Sequence, residues 1–306
     1  MGSNKTRDII FNPIIDRLVA DDYYVINVDR NGIPFIAMEK IDPMRSISVG
    51  IAEQNMISVA CGLALSGKRV VTYSSGPFAY LRAYDQLRNA MCLMNLPITV
   101  VVSSESRVSS RFGFTHHMTE DYQLLTLCPN LRFFNVADVA TAHAISDYIL
   151  SGVEGPTYVR LEFECDSDLQ AVENPNLKKG FRTVRSGSGA LILAQGCSVV
   201  TAYETAFVSQ PAIIDVFGHP FDIDALYEEI LKYKKVIVFD ERQTIGGLGS
   251  EILGYANAHG ICKQIVMVCV QQTQKLTETC GEREYWMRIS GVDNAAIKAA
   301  VDGHSF

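Results

Sequence analysis

Two consecutive three-layer α/β domains with mainly parallel sheets are what this sequence predicts, on three observations. Near-continuous apolar segments such as Val70 to Tyr73 and Ile98 to Ser103 alternate with helix-like ones along the chain, the pattern of parallel strands covered by helices on both faces. The length, 306 residues of which 48% are hydrophobic and 20% charged, suits two cores of roughly 150 residues each. Between them, Ala171 to Gly189 turns polar and irregular, with Asn174-Pro175-Asn176 and a closing Ser-Gly-Ser-Gly run, and reads as a linker. Domains of 1–180 and 181–306 follow.

Thr6 to Ala20 places Ile9, Ile10, Ile14, Ile15, Leu18 and Val19 at helical spacing, with Thr6 as the expected cap and Asp8 in the first turn. A strand from Tyr23 to Val28 comes next, and Gly32, Pro34 and Pro43 predict a loop leading to Gly50. Helices are predicted over 51–66, 78–94, 119–127 and 138–152, and further strands over Leu131 to Val136 and Thr157 to Leu161. The second domain has strands near Ala190 to Ala194, Ala212 to Val216, Val236 to Asp240 and Ile265 to Val270, with helices near 222–232 and 248–258.

Composition narrows the function. A net charge of −7 with scattered Lys and Arg argues against a nucleic-acid surface, which needs clustered cations. Eight cysteines, mostly in apolar runs and without a Cys-x-x-Cys pair, suit a reduced cytoplasmic setting. No apolar run approaches the roughly 20 residues that span a bilayer.

The chain is organised around Gly50 to Asn89. Glu53 opens a helix that is otherwise small and apolar (Met56, Ile57, Val59, Ala60, Cys61, Leu63, Ala64). A carboxylate so placed is expected to be buried, which is costly unless it has a partner or a task. On residue type alone, a first-turn acid stabilised by the helix dipole is the competing reading.

Four segments together carry a resemblance: Gly50-Ile-Ala-Glu53-Gln-Asn-Met, Arg82-Ala-Tyr-Asp85-Gln-Leu-Arg88-Asn89, Gly113-Phe-Thr-His116-His117 followed by Glu120-Asp121, and Ile245-Gly-Gly-Leu-Gly249-Ser250. In order and spacing the chain resembles the pyrimidine-binding and C-terminal domains of transketolases over nearly its whole length. The resemblance implies a thiamine-diphosphate enzyme. Glu53 would bond the pyrimidine ring nitrogen, so that the cofactor's amino group can tautomerise and take the thiazolium proton. Phe78 lies where the family places an aromatic against the pyrimidine, although Ser75 replaces a second Phe. His116 falls where the family holds a substrate oxygen, a task suited to a ring that donates or accepts near neutral pH. On residue type alone, Phe78 could equally be core and His116 a helix cap, while His117 reads as a neighbour rather than a second catalyst. No metal site is expected on this chain.

Departures from the family mark the substrate region. Arg111-Phe112 stands where an acidic pair is usual, Ser104 where phosphosugar-using members have His, and Phe163 where they have Arg. Arg7 still matches a phosphate-binding Arg, and Arg107 or Arg111 could offer a relocated anion site. A substrate other than the usual sugar phosphates is expected. The family's Gly-Asp-Gly motif, which grips the diphosphate through Mg²⁺, does not occur in this sequence. The resemblance therefore implies a separate diphosphate-binding subunit, self-association, and an α₂β₂ assembly acting on a ketose and an aldehyde. A 2-oxo acid dehydrogenase β subunit or another acyl-transferring thiamine enzyme, and a non-catalytic assembly partner, are the alternatives. The glycines of 245–250 read as structural, and Arg82, Asp85 and Arg88 as a helix-face or interface charge cluster.

Overall fold

A computed structural model describes residues 5–28, 33–104, 112–162, 166–271 and 280–303. The chain divides into two compact units, one of Met1–Ser104 with Leu124–Asp166 and one of Glu105–Gln123 with Ser167–Phe306. The expected class is the one observed, two mainly parallel sheets with helices.

In the first unit, α1 (Lys5–Asp16) precedes β1 (Tyr23–Asn27), α2 (Ile33–Ile41), β2 (Ser46–Ser48), α3 (Glu53–Leu65) and β3 (Arg69–Ser75). Two π-helical segments, Phe78–Arg82 and Gln86–Cys92, lead to β4 (Ile98–Ser104), and β5 (Arg132–Asn135), α5 (Val139–Ser151) and β6 (Thr157–Glu162) complete it, while α4 (Asp121–Thr126) begins in the second unit and ends in the first. The strands run in the order β5-β6-β4-β3-β1-β2, every pair parallel, with Val71 opposite Val25 on one side and Thr99 on the other. The central strands are apolar because helices cover both faces: Val100, Val101 and Val102 are all fully buried. Helix α5 is capped by Asp138, which accepts from the backbone N–H and hydroxyl of Thr141, both at 2.8 Å.

Three local expectations are corrected. Thr6 is not the cap of α1; Asp166 accepts from the backbone N–H groups of Lys5 (3.1 Å) and Thr6 (3.0 Å) instead. The loop expected before Gly50 contains α2 and β2, because Pro34 sits in the first helical turn, where a missing N–H costs nothing, and Phe35 and Met38 bury one face. The continuous helix expected over 78–94 is instead the pair of π segments.

The second unit holds β7 (Arg182–Arg185), β8 (Ala190–Ala194), α6 (Cys197–Glu204), β9 (Ala212–Asp215), the two-residue β10 (Gly218–His219), α7 (Ile223–Leu231), β11 (Lys235–Gln243), α8 (Leu248–Ala258) and β12 (Gln264–Val270), then helices Arg283–Ile289 and Asn294–Asp302. Its sheet order is β12-β11-β8-β9-β7, parallel except for the edge strand β7, which runs antiparallel to β9. Part of the expected linker is thus β7, where buried Arg182 donates to buried Asp215 at 3.3 Å. Strand β11 outruns its expected end at Asp240 through a register shift between Asp240 and Gln243, a bulge of the kind that re-aims side chains. The glycines after it admit close approach: a Cβ on Gly249 would lie 1.9 Å from Met267 Cε. No described helix is long and apolar enough to cross a membrane.

Candidate active site

The placement of Glu53 follows from helical periodicity. Residues 53, 56, 57, 60, 61 and 64 share one face of α3, and all six are buried, so the carboxylate continues an apolar stripe. Gly50, at φ +73°, makes the left-handed turn that admits the chain to this helix, which costs least without a Cβ. Glu53 is 1% exposed. Its Oε2 accepts from Arg82 Nη1 at 2.7 Å, while the Arg82 side chain is 44% exposed.

Arg82 also links Glu53 to the candidate aromatic. Its guanidinium carbon lies 4.6 Å from the centroid of the Phe78 ring, within cation–π range. The π-helical segment that begins at Phe78 and ends at Arg82 thus carries both residues, and π segments recur at functional sites. The structure therefore assembles Glu53, Arg82 and Phe78 as one group within the first unit. By sequence spacing, Arg82 reads as part of a helix-face cluster with Asp85 and Arg88. Its reach to Glu53 is set by the fold, and an acid on an apolar stripe is the sequence signal that a cation must come to meet it. Asp85 and Arg88 do pair locally, through Asn89, at 2.6 Å each.

His116 belongs to the second unit, in the 3₁₀ turn Phe114–His116. Backbone bonds His116 N to Gly113 O and His117 N to Phe114 O, both 3.0 Å, close the turn. Its Nδ1 lies 3.0 Å from Thr115 Oγ1, and its ring centroid 5.2 Å from that of Phe112, itself 55% exposed. Where Thr115 donates to Nδ1, Nε2 carries the proton. Partial burial holds the imidazole below its ordinary pKa, since desolvation penalises the cation. A histidine NMR titration is accordingly expected to give His116 a midpoint below that of an exposed imidazole. Because the folded pKa is depressed, its contribution to stability is complete above the unfolded value and is lost as pH falls through the folded one. A raised midpoint would contradict this. His117, by contrast, is 4% exposed and packs edge-on against Trp286 at 4.7 Å.

Of the remaining candidates, Arg7 is buried and donates from Nε and Nη2 to Asp8 Oδ1, at 3.1 and 3.0 Å. Any anion there would share the guanidinium with that carboxylate. Ser104 ends β4 in register with Glu162. Arg107, Arg111 and Phe163 lie outside the described residues.

The first unit thus places a buried carboxylate at a helix start beside an aromatic ring, the two joined by one guanidinium. Residues 29–162 match the family described as transketolase, pyrimidine binding domain, and the chain belongs to the transketolase family. It is 29% identical over 236 residues to one of the subunits of apulose-4-phosphate transketolase from Actinobacillus succinogenes, covering 74% of each chain. It is 32% identical over 215 residues to the 6-deoxy-6-sulfo-D-fructose transketolase subunit SqwH of a Clostridium species, covering 68% of this chain and 66% of that one. Among solved structures, a split-gene transketolase described as an inactive β4 tetramer superposes with a TM-score of 0.81 at 24% identity, over 97% of this chain and 96% of that one, a likeness of fold.

Proposed function

We propose that this chain is the pyrimidine-binding and C-terminal subunit of a two-component, thiamine-diphosphate-dependent transketolase that moves a two-carbon ketol unit from a ketose to an aldehyde. The observation that carries this reading is Glu53, a carboxylate 1% exposed on an apolar helix face and joined through Arg82 to the Phe78 ring. These residues fit an aminopyrimidine: a buried carboxylate can share a proton with a ring nitrogen, and an aromatic side chain can wall the heterocycle and exclude water. Thiamine diphosphate, when bound, supplies the electron sink for breaking and making the carbon–carbon bond. Glu53 holds and returns a proton at its carboxylate oxygen. His116 donates to, or accepts from, the substrate oxygen at its ring nitrogen.

The diphosphate and Mg²⁺ fall to a partner subunit bearing the Gly-Asp-Gly motif that this sequence lacks, in an α₂β₂ assembly. That a neighbour built of β chains alone is described as inactive supports this division. Two relatives are transketolase subunits for apulose 4-phosphate and a sulfonated deoxyfructose, which supports a substrate other than the common sugar phosphates. Phe112, Ser104, Arg111 and Arg7 are the residues proposed to define it, and a reduced cytoplasmic setting completes the reading.

The test is to assay the reconstituted complex with phosphorylated, sulfonated and plain ketoses against an aldehyde acceptor. Ketol transfer by the mixture, and by neither chain alone, is expected. Consumption of 2-oxo acids without ketol transfer would favour the acyl-transferring alternative. No turnover by an assembled complex would favour a non-catalytic partner.

A further inference from the structure

Of the residues that directly follow His116, His117, Thr119, Asp121, Tyr122 and Gln123 are tied to the framework of the second unit. Arg242, 2% exposed, is aimed by the β11 bulge and donates from Nε to Asp121 Oδ1 at 3.1 Å. From Nη1 it donates to Asp240 Oδ1 and Gln195 Oε1, both at 3.0 Å. Tyr122, 1% exposed, donates its hydroxyl to Glu251 at 2.6 Å. Gln243 N donates to Thr119 O at 2.9 Å, and Gln123 Nε2 donates to the carbonyl of Ile245. Beside that carbonyl, Gly246 has φ +72°, and a Cβ there would lie 2.4 Å from Gln123 Cγ.

These contacts give the glycine-rich turn and the buried arginine a shared role. We infer that the C-terminal unit sets the position of His116, through the Arg242–Asp121 and Glu251–Tyr122 bonds and through a socket that Gly246 opens for Gln123. Asp121, Tyr122, Arg242 and Gly246 are then positioning residues, acting on the reaction through His116. The physical reason lies in the turn itself. Two backbone bonds close residues 113–117, so a displacement of the anchored residues among 117–123 is passed to the adjacent imidazole rather than absorbed. A histidine acting on a substrate oxygen needs placement to a fraction of an ångström, and an error of about 1 Å can cost about 100-fold in rate. This inference rests on the reading of His116 as a substrate contact.

Two variants test it, each in the full chain. Asp121→Asn with Tyr122→Phe removes one charge and one hydroxyl, while Arg242 keeps Asp240 and Gln195. Gly246→Ala intrudes on the socket at an exposed turn, where misfolding is least expected. The first readout needs neither partner nor turnover: ¹³C-histidine NMR, with the His116 signal among six histidines assigned through His116→Gln. Both variants are expected to shift or broaden that signal while the chain stays folded by Trp286 fluorescence. The second readout is kinetic, in the reconstituted complex. A tenfold or greater fall in kcat, with kcat/KM falling equally, is expected for loss of a transition-state contact. An unmoved His116 signal in both folded variants would overturn the inference. So would a moved signal with wild-type kcat. If the wild-type complex catalyses no ketol transfer, the proposed function has failed, and the NMR arm alone decides whether the second unit positions His116.

Discussion

Glu53→Gln is expected to lower turnover of the reconstituted enzyme by about 10²–10⁴-fold, the usual worth of a positioned acid–base group. Glutamine is nearly isosteric and can still accept from Arg82 through its amide oxygen, so the group built from Glu53, Arg82 and Phe78 keeps its shape. What is lost is the capacity to hold and return a proton. Stability should change little, because the Arg82 side chain is 44% exposed and solvent can satisfy the cation. Steady-state kinetics beside a melting curve would separate the two effects. A variant that melts as wild type and turns over within threefold of it would remove Glu53 from the chemistry.

The largest stability effect is expected at Arg242. Arg242→Ala leaves the carboxylates of Asp121 and Asp240, 2% and 3% exposed, buried without the cation that bonds both. Breaking a buried pair by deleting one partner typically costs about 3–5 kcal/mol. The loss should appear in the second unit, and the chain carries its own reporter there. Trp286 is the single tryptophan, fully buried and packed on His117, so its fluorescence follows this unit through urea denaturation. An unchanged urea midpoint for Arg242→Ala would show that the network contributes nothing.

The residues of the candidate site differ in how legible they were in the sequence, for physical reasons. Glu53 could be read because its burial follows from local periodicity: an acid on the apolar stripe of a helix is conspicuous without any tertiary information. The parallel strands could be read for the same reason, since a run such as Val100, Val101 and Val102 must be covered on both faces. An α-helical spacing of three pairs Arg82 with Asp85, whereas the π-helical turn and the fold send it to Glu53. Helix α2 was hidden by Pro34, which marks a loop in most contexts but is harmless in a first helical turn. Arg242 gave no signal at all. Its burial depends on a bulge at the end of β11 and on partners 47 and 121 residues away in sequence, distances at which no local pattern operates. The glycines of 245–250 read as structural, and the structure adds what they accommodate, Met267 at Gly249 and Gln123 at Gly246.

The proposed cofactor site is shared by two chains, and calorimetric titration bears on it without need of a substrate. Thiamine diphosphate with Mg²⁺ is titrated into this chain alone, into the Gly-Asp-Gly subunit alone, and into their mixture. Saturable binding that appears in the mixture and weakens when Glu53→Gln replaces the wild-type chain is the predicted result. A mixture that assembles, as shown by light scattering, yet takes up no cofactor would exclude a shared site.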